Sequence, residues 1–154
     1  MSLFSRLFAR FGFRDWDGTG PVTARHLRTA LEQGEIIVHF QPEISADTSE
    51  LEAVEALLRW RRGMDRVPAA TFLSAAAADD KVLRMVGDLT LRAACKFGAW
   101  LREGHPTDVS VEVNLSLREL LDPDLSDRIS DARLEVGLSP SQLAFEIAAR
   151  ELVT

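Results

Sequence analysis

Val54-Glu55-Ala56-Leu57-Leu58-Arg59-Trp60 sets a carboxylate and a guanidinium inside an otherwise apolar run. An ionised group buried in such a run is costly unless an opposite charge or a metal meets it. Chemistry therefore accounts for Glu55 better than packing does. Leu51 to Trp60 reads as a strand, and upstream Ile36 to Phe40 reads as a short buried strand running into His39-Phe40-Gln41-Pro42. Pro42 and the polar Ser45 to Ser49 close it with a turn. So short a connection predicts that the two strands run antiparallel.

Outward from this pair, Thr23 can cap a helix reaching to about Gln33, with Leu27, Ala30 and Leu31 on one face and Gly34 past its end. On the other side, Arg61 to Arg66 reads as a loop and Pro68 opens an alanine-rich helix through Ala78. Val82 to Leu101 is predicted as a longer helix, ended by Gly104. Its Leu89, Ala93, Phe97, Trp100 and Leu101 recur at threes and fours as a core-facing stripe. Val109 to Asn114 alternates valines with polar residues as a strand does. A further helix follows Pro123, marked by Leu125, Ile129, Ala132 and Val136 and stopped by Gly137. Leu143-Ala144-Phe145-Glu146-Ile147 is the last alternating segment. Strands separated by helices from Leu51 onward predict an α/β fold with a parallel sheet at its centre.

Alternation also sorts the side chains by face. Glu55, Leu57 and Arg59 share one, as do Ser110, Glu112 and Asn114, and as do Ala144 and Glu146. Glu55, Asn114 and Glu146 lie near the carboxyl ends of their strands, where parallel α/β sheets and barrels gather functional groups. Two carboxylates and an amide oxygen form a hard, all-oxygen set suited to Mg2+ or Mn2+. Each residue also has a plainer reading. Glu55 can pair with Arg59, Asn114 can end a strand or cap a helix, and Glu146 can be a half-buried strand carboxylate. Trp16, Trp60 and Trp100 read as core or interface, and Cys95 reads as a packed small hydrophobe.

The chain has 154 residues and a formal charge of -6, which suits one globular domain and argues against a general nucleic-acid binder. Cys95 is the single cysteine, and His26, His39 and His105 are too scattered for a shared metal site, so a reduced, cytoplasmic setting is expected. No run approaches the roughly 18 apolar residues of a membrane span. Residues 1–14 form a basic amphipathic segment, with Phe4, Leu7, Phe8 and Phe11 at helical spacing among Arg6, Arg10 and Arg14. Two uses are open to it: docking the Phe stripe on this domain or a second copy, or peripheral contact with a membrane surface. Residues 15–23, with Gly18, Gly20 and Pro21, read as a linker.

Glu55-Ala56-Leu57, Asn114-Leu115-Ser116 and Phe145-Glu146-Ile147 resemble three motifs of the EAL family of cyclic-di-GMP phosphodiesterases. Gln41-Pro42, Leu57-Leu58-Arg59-Trp60, Ala94-Cys95 and Trp100 fall in that family's order and spacing over residues 24–154. The resemblance implies a partial (β/α) TIM-like barrel of the EAL type, its first half only. It implies metal-dependent hydrolysis of cyclic-di-GMP, with Glu55, Asn114 and Glu146 ligating Mg2+ or Mn2+, Arg59 meeting a phosphate, and Gln41 and Leu57 touching the dinucleotide. In the family, later strands supply an aspartate pair, a lysine and a further glutamate, whereas this sequence stops at Thr154. Glu146-Ile147-Ala148-Ala149 and Phe72-Leu73-Ser74-Ala75-Ala76-Ala77 each lack a carboxylate of the family pattern, Arg61-Arg62-Gly63 departs from its Arg-His-Pro turn, and Glu112 stands where it has a small inward residue. The expectation is a truncated EAL domain, catalytically inactive as given and acting as a regulatory or interaction module. The alternative is the amino half of an active phosphodiesterase completed by missing sequence or another chain. An open barrel edge predicts self-association or a protein partner.

Overall fold

A computed structural model describes residues 20–62, 65–104 and 109–147. The amphipathic segment 1–14, most of the linker, Trp16, His105 and Ala148-Ala149 lie outside the described residues. Helix α1 (Ala24–Glu32) begins at a capping box: the His26 amide donates to Thr23 Oγ1 and the Thr23 amide to His26 Nδ1, both at 3.3 Å. It ends before Gly34, whose φ of 67° is one that glycine adopts without strain. Strand β1 (Ile36–Ile44) then pairs antiparallel with β2 (Leu51–Arg62), from Ile36 opposite Trp60 to Ile44 opposite Leu51. The predicted pairing is observed, but β1 is neither short nor buried: only Ile36 is fully enclosed, and the strand runs through Pro42 rather than ending there. An edge strand tolerates proline because a missing N–H costs nothing on a side that has no partner.

The second departure is at Arg61 to Arg66, which the sequence reads as a loop. β2 continues to Arg62, and β3 (Asp65–Pro68) folds back on it, Arg62 opposite Asp65 and Arg59 opposite Pro68. The alanine-rich helix is also divided, into a 3₁₀ turn (Ala69–Thr71) and α2 (Leu73–Ala77). Phe72 sits at the break with φ -126°, fully buried and edge-on to Trp60 with centroids 5.9 Å apart. Seating that ring against the indole sets the backbone there, and the helix restarts after it.

Helix α3 (Asp80–Gly104) is the spine of the molecule, and β4 (Ser110–Asn114), α4 (Leu117–Leu120), α5 (Leu125–Glu135) and β5 (Leu143–Glu146) follow. The sheet order is β1-β2-β4-β5, with β3 also on β2; β2, β4 and β5 are parallel, as the alternating elements predict. The apolar face of this sheet carries Val54, Ala56, Leu58 and Trp60 from β2 and Val111 and Val113 from β4, all buried under the helices. Helix α5 ends in a left-handed turn at Gly137 (φ 65°), where the Leu138 amide reaches Arg133 O at 3.0 Å.

The buried side of α3 is rotated from the predicted stripe. Val82, Val86, Leu91, Ala94 and Cys95 are enclosed, whereas Leu89, Ala93, Phe97 and Leu101 are half-buried on its flank and Trp100 is 62% exposed. Small residues let the helix approach closely: a Cβ on Gly98 would lie 3.0 Å from Leu138 Cδ1 and 3.3 Å from Val111 Cγ2. Of the predicted stripe, Leu89, Phe97 and Leu101 still pack on the core from its margin, and Phe97 stacks on Phe40 of β1 with centroids 3.9 Å apart. Among the described residues, no helix is long and apolar enough to cross a membrane.

Candidate functional site

With helices packed on one face, the opposite face of the sheet carries the polar side chains that alternation sends there. The pairing register lines up Gln41 with Glu55 across β1 and β2, Glu55 with Glu112 across β2 and β4, and Glu112 with Ala144 across β4 and β5. One step toward the carboxyl ends, Asn114 stands opposite Glu146. The Leu115 amide donates to Glu146 O at 2.8 Å and ties these two strand ends together. Asn114 and Glu146 end their strands at one rim, whereas β2 runs on to Arg62, so Glu55 is not at the end of its strand but stands level with Glu112, one same-face step from that rim.

Asn114 Nδ2 donates to Glu55 Oε1 at 2.6 Å. That contact decides between two plainer readings. Glu55 finds its partner on the neighbouring strand, not in Arg59, whose Nη1 donates instead to the Leu58 carbonyl at 2.8 Å. Nor is Asn114 the helix cap: Ser116 has that role for α4, sharing a capping box with Glu119, whose carboxylate accepts from the Ser116 hydroxyl at 2.6 Å. Gln41 is exposed beside Glu55, and Leu57 and Arg59 follow on the same face of β2, half-buried.

Glu112 sits at the centre of this face. Burial pushes its carboxyl above the usual 4.5, and the charges of Glu43, Glu146 and Glu55 together with a side-chain hydrogen bond to Glu146 push it the same way. Glu43 was not singled out in the sequence. Once β1 is seen to pass through Pro42, alternation puts Glu43 on the face of Gln41, so the signal was present but hidden by reading proline as a strand end. Four carboxylates thus share the floor that Asn114 and Gln41 complete.

The donor chemistry fits a hard divalent cation, since every group offers oxygen. The arrangement is one-sided, however: among the described residues, no group of three or more His, Cys, Asp or Glu side chains is disposed to hold a metal ion. A second polar cluster lies on the helical side, around a pocket of about 330 Å³ where Arg84, Arg118 and Arg128 face Asp80, Glu119 and Asp122. Arg128 Nε meets Asp88 at 2.7 Å and its Nη1 meets Asp122 at 3.0 Å, while Arg84 bonds Asp122 and Asp124 and Arg118 pairs with Asp80. These pairs clamp α5 and the α4–α5 turn onto α3, which gives that cluster a structural role.

The family model described as "EAL domain" matches residues 24–154. An uncharacterized signaling protein of Caulobacter vibrioides is 35% identical over 133 residues, covering 84% of this chain and 16% of that protein. The bifunctional diguanylate cyclase/cyclic di-GMP phosphodiesterase MucR of Pseudomonas aeruginosa is 33% identical, covering 79% of this chain and 18% of its own length. The solved structure of the PaMucR phosphodiesterase in complex with c-di-GMP superposes with a TM-score of 0.71 at 32% identity, over 79% of this chain and 49% of that one. The chain therefore spans less than a fifth of these two curated relatives and about half of the solved domain.

Proposed function

This chain belongs to the EAL domain family, and on that premise we propose that it is the amino-terminal part of an EAL module of cyclic-di-GMP signalling, which as a 154-residue chain binds or relays without hydrolysing. The carrying observation is the convergence of Glu55, Asn114 and Glu146 from three parallel strands on the sheet face that the described helices leave open. In this reading those three residues form one wall of an Mg2+ or Mn2+ site. Gln41, Leu57 and Arg59 contact the dinucleotide, Arg59 through a phosphate. Bound ions would supply the field that polarises a phosphoryl oxygen and acidifies an attacking water. Glu55, Asn114 and Glu146 offer oxygens from one side only, and ions that demand a near-octahedral oxygen shell need ligands from the other side as well. The expectation of catalytic silence follows from that one-sidedness.

The alternative reading, in which further sequence or another chain completes a phosphodiesterase, is favoured by the c-di-GMP-bound relative whose chain extends to about twice the matched length. Incubating the purified 154-residue chain with cyclic-di-GMP and manganese tests whether it hydrolyses the dinucleotide without further sequence. No linear dinucleotide is expected from the chain alone. Its appearance, abolished by Glu55→Ala, would establish the enzymatic reading instead.

A further inference from the structure

The polar floor has a charge pattern that bears on which ligand state it accepts. A cyclic dinucleotide carries a negative charge on each of its two phosphodiesters, so a floor that binds it must supply positive charge or withhold negative charge. Here Glu112 projects from the middle strand, in register between Glu55 and Ala144, with Glu43 and Glu146 also acting on it. Arg59 is on the same face but four residues further along β2 than Glu55, about 13 Å at strand spacing. Its Nη1 is turned to the Leu58 carbonyl. Its guanidinium is engaged along its own strand, and among the described residues no ion pair joins it to Glu112.

We propose that Glu112 is a specificity-determining residue that turns this face against an anionic dinucleotide, so that the chain binds cyclic-di-GMP weakly unless the charge at position 112 is removed. This rests on the reading of that face as a dinucleotide floor. The placement is specific: Ser110, two residues earlier on the same strand face, is uncharged, and Ala144, the register partner on β5, presents only a methyl. Glu112 is level with Glu55 on the neighbouring strand, but Glu55 is held by Asn114, whereas the groups acting on Glu112 are other carboxylates. A like charge at close range acts on affinity through simple Coulomb repulsion, which salt weakens.

The test is cyclic-di-GMP binding by calorimetry in the presence of a chelator at low ionic strength, for the natural chain and for Glu112→Gln and Glu112→Ser. Glutamine keeps the volume and the hydrogen-bonding capacity and removes only the charge. Both variants are expected to bind about tenfold more tightly than the natural chain, the order set by one like charge at a few ångströms in a partly aqueous setting. The gap should narrow as salt is raised. Equal binding by all three, or a gain confined to the serine variant, would overturn the inference and leave the dinucleotide floor standing. Absence of binding by all three would overturn the floor itself and the inference with it.

Discussion

Glu112 also carries a stability consequence, at the scale of the single residue. Its folded carboxyl holds a proton more tightly than the ordinary glutamate value of 4.5, chiefly because it is partly buried and then because other carboxylates face it. The folded state therefore binds more protons than the unfolded one in that range, and stability falls as pH rises through the folded pKa. The contribution is fully present below the unfolded value. Glu112→Gln should accordingly melt above the natural chain at about pH 7, with the difference closing below about pH 4. Melting curves across that range check it, and a variant that melts lower at neutral pH would refute it. The residues of this floor were largely legible in the sequence, because two-residue alternation in β2, β4 and β5 assigns a face to each side chain. What alternation leaves open is which neighbour satisfies which group. Arg59 and Asn114 were both available to Glu55, and only the register between strands selects Asn114.

At the scale of elements, α3 sets how closely the helical layer approaches the sheet. Its helical identity was legible from spacing, but the orientation was not, because a stripe counted by hydrophobicity favours large residues and the closest approach favours small ones. Ala94 and Gly98 are enclosed against the sheet, Leu89 and Phe97 pack partly buried at the margin of the core, and Trp100 is exposed. Gly98→Val should therefore destabilise the chain by about 1–3 kcal/mol, since its added methyls have to displace Leu138 and Val111 from a filled interior. Denaturant unfolding with an unchanged slope would report that cost, and a midpoint equal to that of the natural chain would show that the contact is not limiting. The short hairpin to β3 was hidden for a different reason. Charged residues and a glycine look like a loop in any one-chain reading, and only the extension of β2 past Trp60 reveals a partner.

At the scale of the whole molecule, among the described residues helices cover one face of the sheet and β5 is an edge strand, with Asn114, Glu112 and Glu146 on the opposite face. The fold class was legible because the order of strands and helices dictates parallel pairing. What the order cannot say is how a half-barrel meets its surroundings. Unpaired strand edges favour pairing with another chain, and two copies related by a twofold axis would join β5 to β5. Light scattering on the 154-residue chain is expected to give the mass of two chains, and a stable single chain across the concentration range would contradict it. The opposite edge behaves differently. Pro42 lies inside β1 and has no amide hydrogen to offer, and the adjacent Glu43 adds a charge. A sheet with two receptive borders can add copies without end and grow into a fibre. With β1 blunted, pairing through β5 would halt after a single addition.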